Sequence, residues 1–154
     1  MITAWRIVKA RHVADAFSGE GARLYGGRWN HRGTPLVYLG GSQALAALEL
    51  FVHLGPSGGG LRFVAIRVDV PRDVRIRALR PRDLPPSWRE QPPSDETKDL
   101  GTKWARRGAT VVLRVPSVIV PAESNYLLNP AHPDFAKLVI GAREPFALDP
   151  RMWK

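Results

Sequence analysis

Gly21-Ala22-Arg23-Leu24-Tyr25-Gly26-Gly27-Arg28-Trp29-Asn30-His31-Arg32-Gly33-Thr34-Pro35 runs straight into Leu36-Val37-Tyr38-Leu39, and from there into a helix-forming run that carries Glu49. The order is loop, short strand, helix. His31–Pro35 reads as a turn, with Gly33 at the permissive position. Gly40 and Gly41 end the strand. Ser42 is a good N-cap, because its hydroxyl accepts from the first free amides of a helix. That helix is predicted from Gln43 to about Leu54, where Gly55-Pro56 stops it.

Upstream, Ile2–Val8 suits a short first strand and Val13–Phe17 at most a short helix. Ser18–Gly27 holds four glycines in ten residues, a density that implies positive φ or close backbone approach. Downstream, Leu61–Val70 alternates apolar and polar residues as a half-buried strand does. Val74–Ala78 repeats the pattern after a turn. Arg80–Pro93 has five prolines and no period, so it is a loop. Ser94 caps a second helix, with Asp95 and Glu96 in its first turn and Arg106 and Arg107 in its last, matching the helix dipole. Thr110–Val115 and Ser117–Val120 are β-rich runs broken by Pro116, which suggests an edge strand or bulge. Leu138–Ile140 is a last strand, and the tail with Phe146, Met152 and Trp153 docks back on the core. This order predicts an α+β fold with a mainly antiparallel sheet.

The chain of 154 residues suits one domain, residues 1–154. No run reaches the ~18 apolar residues of a membrane span, and the first residues lack the order of a signal peptide. Absence of cysteine excludes disulfides and thiolate metal sites and fits a reducing cytoplasm. The net charge of +9 points to polyanionic partners: nucleic acid, phosphorylated small molecules or an acidic protein.

Glu49 is the one polar side chain between Ala44 and Val52. A helix apolar all round is expected to be buried all round, and a buried carboxylate is costly unless paired or hydrogen-bonded. Either an arginine pairs with it to tie two elements together, or it serves a site. Arg28 follows two glycines and precedes Trp29; a guanidinium grips phosphate through parallel hydrogen bonds. Tyr38 either stacks on an aromatic ligand or packs in the core. Ser117, Ser124 and Asn125 have no histidine–acid spacing that would activate a nucleophile, so they are candidates for hydrogen-bonding a ligand. His12, His31, His53 and His132 show no paired metal spacing, and no metal is expected.

Together these motifs resemble the RES domain family: Gly-Glu-Gly-Ala-Arg-Leu-Tyr-Gly-Gly-Arg-Trp-Asn, Pro-Leu-Val-Tyr-Leu, Ala-Leu-Ala-Ala-Leu-Glu, and Val-Pro-Ser followed by Ser-Asn-Tyr-Leu-Leu-Asn-Pro. The likeness runs from Trp5-Arg6 to the tail. It implies an ADP-ribosyltransferase-like fold and a bacterial toxin that attacks NAD as substrate, without metal. It further implies cleavage at the nicotinamide–ribose bond, with water or inorganic phosphate as acceptor, or transfer of ADP-ribose to a protein. The implied partner is an Xre-type antitoxin. By motif, the family arginine is Arg28, the tyrosine Tyr38 and the glutamate Glu49; Arg6 matches a second arginine, and the serine is Ser117 in Val-Pro-Ser, with Ser124 left open. The resemblance casts Glu49 as the group that stabilises ribose charge, Arg6 and Arg28 as pyrophosphate ligands, and Tyr38 as a nicotinamide wall. Some family members carry tyrosine directly after the first arginine, where this chain has Ile7. The competing reading from another class is a basic nucleic-acid-binding module using Trp29, Trp88 and Trp104, although no nucleic-acid motif is present.

Overall fold

Seven strands form one mixed sheet in the order β4-β5-β6-β2-β1-β3-β7. The computed structural model describes the whole chain, Met1–Lys154. The strands are β1 (Ile2–Lys9), β2 (Val37–Gly40), β3 (Phe63–Val70), β4 (Ile76–Ala78), β5 (Val112–Pro116), β6 (Ser124–Leu128) and β7 (Val139–Phe146). The α-helices are α1 (Glu20–Tyr25), α2 (Gln43–His53) and α3 (Asp95–Arg107). Every pairing is antiparallel except β4 with β5. Parallel neighbours need a long crossover, and residues 79–111 with α3 supply it. The α+β expectation therefore holds, with one parallel pair added.

Alternation along the strands divides the core into two faces. One face holds Ala4, Val37, Leu39, Val68, Val112 and Leu128, with Phe17 and Phe135 packed from outside. On the other, α3 brings Trp104 onto Leu113, Val115 and Leu127, and α2 brings Ala46 onto Ile7, Phe63 and Ala65. Both long helices thus cover the same side.

The sheet has a seam. β1 and β3 share eight register pairs, and β2 and β6 share four. β1 and β2 share one, Trp5 with Gly40. Helix α2 lies across that seam, where the backbone of Gly40 passes directly beneath it. A Cβ on Gly40 would sit 2.6 Å from the amide nitrogen of Ala46, so this residue has no room for a side chain.

Several elements differ from their sequence reading. Residues 20–25 close into the short helix α1 where a glycine-rich loop is expected. β5 is an interior strand between β4 and β6, not an edge, and Ser117–Val120 forms no strand. Pro116 offers no amide to continue the ladder, and the Ser117 hydroxyl captures the amides of Ile119 at 3.2 Å and Val120 at 3.1 Å, which curls the chain into a turn. β7 extends well beyond the predicted Leu138–Ile140. Helix α2 begins on its predicted cap, with Ser42 Oγ accepting from Leu45 N at 3.0 Å. It is not buried all round, however. Only Leu45 and Ala46 are fully buried, while Ala44, Leu48 and Val52 stay exposed. Sheet contact covers one side of the helix, and no element packs over the other.

Candidate active site

Glu49 stands one helical turn beyond Leu45 and Ala46, at the flank of α2, and is half-buried. Its Oε1 accepts two hydrogen bonds from distant parts of the chain. Ser117 Oγ donates at 2.8 Å and Asn125 Nδ2 at 2.7 Å. Both donors are neutral. No lysine, arginine or histidine forms an ion pair with this carboxylate. Of the two expectations for Glu49, an arginine tie is therefore absent. Its Oε2 accepts no side-chain hydrogen bond from the protein.

The strand register explains how these groups meet. Asn125 pairs with Gly40 on one side and Val115 on the other, which turns its side chain toward the face that α2 covers. Ser117 follows the end of β5 and is fully buried. Its hydroxyl accepts the two turn amides and gives its proton to Glu49, so its orientation is fixed. Asn125 Oδ1 is buried and has no donor partner. Leaving a buried acceptor unpaired costs about 1–3 kcal/mol.

Ser124 is placed differently. Adjacent residues of a strand point to opposite faces, and its Oγ accepts from Arg114 Nε at 2.9 Å. It does not reach Glu49.

Tyr38 shares the face of Asn125. Its hydroxyl donates to Asn30 Oδ1 at 2.6 Å and accepts from Trp29 N at 3.1 Å. Burial raises its phenol well above the ordinary range, with the Trp29 amide and the Arg28 charge opposing only in part. Gly27 makes this possible: a Cβ there would fall 2.6 Å from the Tyr38 oxygen. Asn30, fully buried, also donates through Nδ2 to the carbonyls of Ala22, His31 and Thr34. One asparagine thus ties the arginine-rich loop to Tyr38.

Arg28 projects from that loop. Its Nη1 donates to the carbonyls of Trp88 at 3.1 Å and Glu90 at 2.7 Å, and its Nη2 to Gln91 Oε1 at 2.7 Å. Burial lowers its pKa, while the charge of Glu49 acts to raise it; cation and carboxylate therefore belong to one electrostatic neighbourhood. Nε–H and one hydrogen of Nη2 find no protein acceptor.

Arg6 takes the parity of Ala4 and Val8 on β1 and reaches the seam. Its Nε donates to Ala16 O at 3.0 Å and its Nη1 to Tyr38 O at 3.1 Å. Burial pulls its pKa down to about 10, and Asp15 counters only weakly. It has no ion-pair partner, and its Nη2 donates to no protein atom.

Geometry thus gathers Glu49, Ser117, Asn125, Tyr38 and Arg28 on one face, sets Arg6 at the seam behind Tyr38, and turns Ser124 away. Gln91, Asn30 and the carbonyls that hold Arg28 were not singled out from sequence. They lie in a proline-rich loop and a turn without period, and their partners are decided by the fold. Two mainly apolar grooves, about 370 and 900 Å³, lie elsewhere on the surface, under residues 13–18 and beside the C-terminal tail. Convergent polar groups rather than volume mark this site.

The sequence model of the RES domain matches residues 3–149. The chain belongs to the RES domain family. This RES domain is 41% identical over 150 residues to a protein named Toxin Res from Yersinia enterocolitica (serotype O:8, biotype 1B), covering 96% of this chain and 97% of that one. It is 42% identical over 152 residues to the Prs ADP-ribosylating toxin of Sphingobium sp. (strain YBL2), covering 96% and 94%. Among solved structures, its fold is similar to a chain of the M. tuberculosis MbcT–MbcA toxin–antitoxin complex. The TM-score is 0.75 at 20% identity, over 95% of this chain and 84% of that one.

Proposed function

We propose that this RES domain is the toxin of a toxin–antitoxin pair and that it cleaves NAD at the nicotinamide–ribose bond. The observation that carries this reading is the state of Glu49: a half-buried carboxylate oriented through one oxygen by Ser117 and Asn125, with no cation paired to it. A carboxylate so prepared complements positive charge that arises in a substrate during reaction rather than one already present in the protein.

Breaking the bond from C1′ of the ribose to the nicotinamide nitrogen generates that charge, as in glycoside cleavage. Nicotinamide departs neutral with the bonding electron pair, and the ribose is left as an oxocarbenium ion facing Glu49. Water or phosphate then adds at C1′. With water as acceptor, its proton passes to the carboxylate and on to solvent. The uncommitted N–H groups of Arg28 suit the pyrophosphate, while Arg6, on the opposite parity of β1, supports the site from behind through its hydrogen bond to Tyr38 O. The Tyr38 ring forms a wall for the nicotinamide, and the unpartnered Asn125 Oδ1 offers an acceptor to a substrate N–H or O–H. Ser117, not Ser124, takes the part of the family serine.

A second acceptor is favoured by one observation: the relative at 42% identity bears the name of an ADP-ribosylating toxin. The same cleavage then ends on a protein side chain. By the family resemblance, the proposed partner is an Xre-type antitoxin and the proposed setting the cytoplasm.

Purified protein incubated with NAD is expected to release nicotinamide. Glu49→Gln keeps an oxygen for Ser117 and Asn125 but removes the charge, and is expected to lower kcat by about 100- to 1000-fold. Chromatography of products with and without phosphate, alongside labelled NAD offered to a cell extract, distinguishes the acceptors. Equal release by wild type and Glu49→Gln would overturn the role of Glu49.

A further inference from the structure

The proline-rich segment 85–93 touches both halves of the candidate site. On one side, Trp88 O, Glu90 O and Gln91 Oε1 receive three N–H groups of Arg28. On the other, Arg89 Nη2 donates to Val118 O at 3.1 Å, inside the turn whose amides hold Ser117. Arg89 is seated over the Trp88 ring, 5.8 Å from its centroid. The segment is itself moored, because Ser87 Oγ bonds Ser94 Oγ at 3.0 Å and Glu96 Oε1 at 2.8 Å, at the start of α3. Hydrogen bonds joined by short stretches of backbone therefore connect Arg28 to residues 88–91, Arg89 to Val118, and the adjoining Ile119 and Val120 amides to Ser117 and Glu49.

We infer that segment 85–93 is a brace and that Gln91 and Arg89 are positioning residues for the proposed NAD cleavage, acting on substrate binding and on chemistry respectively. This inference rests on the proposed function. Gln91 and the two carbonyls occupy one side of the Arg28 guanidinium and leave donors on two adjacent nitrogens, Nε and Nη2, for a phosphate oxygen pair. A guanidinium that rotates freely presents that pair only part of the time, so loss of the Gln91 acceptor weakens binding. Arg89 acts through the turn. If Val118 is released, the amides of Ile119 and Val120 no longer fix the Ser117 hydroxyl, and Glu49 loses its orientation in the reacting complex. Prolines at 85, 86, 92 and 93 limit the conformations the brace can adopt when these contacts are absent.

Steady-state nicotinamide release tests this by separating the two constants. Gln91→Met keeps the bulk and removes the acceptor; it is expected to raise KM for NAD about tenfold, with kcat within about threefold. Arg89→Ala is expected to lower kcat about tenfold, with KM within about threefold, and Arg89→Lys to recover at least half of the loss. Melting temperatures are recorded for each variant. Parallel loss of activity that follows melting temperature, without this split, overturns the inference and leaves the segment a purely structural loop. Variants matching an active wild type in both constants overturn it alone. A wild type inert toward NAD overturns the proposed function and this inference with it.

Discussion

Tyr38 commits its hydroxyl twice, donating to Asn30 and accepting from Trp29 N, and this gives it a titration signature. Burial raises its phenol above the ordinary value of 10.0, so the unfolded chain gives up this proton first as pH rises. The stability contributed by the group is fully present below about pH 10 and is lost as pH climbs toward the raised folded value. Tyr38→Phe is expected to cost about 1–3 kcal/mol at neutral pH through its lost hydrogen bonds. It is also expected to flatten the decline above pH 10. Urea unfolding at pH 8 to 11 measures both, and identical alkaline slopes in the two proteins would remove the assignment. At this scale the sequence is partly legible. Glu49 is conspicuous as the one polar residue of an apolar run. Its partners are not, because Ser117 and Asn125 lie 68 and 76 residues away. The resemblance favours Ser117 and leaves Ser124 open; strand alternation and a turn at Pro116 separate them.

The decisive element is α2, and its height above the sheet is set by a glycine. Gly40→Ala places a methyl 2.6 Å from the Ala46 amide and must lift the helix. Overpacking of this kind costs about 1–3 kcal/mol, and the shift carries Glu49 away from Ser117 and Asn125. The expected outcome is a fall in kcat far larger than the stability loss explains, read by combining denaturant titration with nicotinamide release. An alanine variant with wild-type turnover would show that the Glu49 contacts tolerate helix displacement. The starts of α2 and α3 follow from the caps Ser42 and Ser94, and α3 ends at Gly108, which takes the left-handed φ of 63°, so local chemistry decides there. β3 follows from its alternation. By contrast, β5 reads as an edge strand or a bulged one because Pro116 interrupts the run, yet the proline closes an interior strand. Neighbour relations within a sheet are non-local, and period-two patterning carries no information about them.

For the whole molecule, the positive charge and tryptophans invite a nucleic-acid reading that the packing weakens. Trp29 and Trp104 are core residues, each about 3% exposed, so neither offers a face for bases to stack on. The tail behaves as its apolar content predicts. Trp153 meets Phe51 edge-on, ring centroids 5.3 Å apart, so the last residues clasp the end of the helix that bears Glu49. Trp153→Ala is expected to destabilise the fold by about 1–3 kcal/mol and to reduce kcat, whereas Trp153→Phe retains most of both. Thermal melts and turnover decide this; an unchanged kcat in a destabilised alanine variant would limit the tail to a stabilising role. The α+β class and the RES relationship were legible over nearly the full chain, because the motifs that carry them are local. The brace was not, since its residues become meaningful only when Arg28 and the Ser117 turn are brought to either side of it.

The single register pair between β1 and β2 has a consequence for cooperativity. Strands β1, β3 and β7 form one hydrogen-bonded block, and β2, β6, β5 and β4 another. Such blocks are natural units of sub-global opening, each with its own amide-exchange free energy. Helix α2 lies across the boundary, with Ala46 on Ile7 and Phe63 of the first block and on Gly40 of the second, and the hydrogen bonds from Ser117 and Asn125 to Glu49 fasten it to the second. The contacts that orient the proposed catalytic carboxylate are thus also rivets between two foldons, and slow amide exchange across the seam depends on the same side chains as turnover.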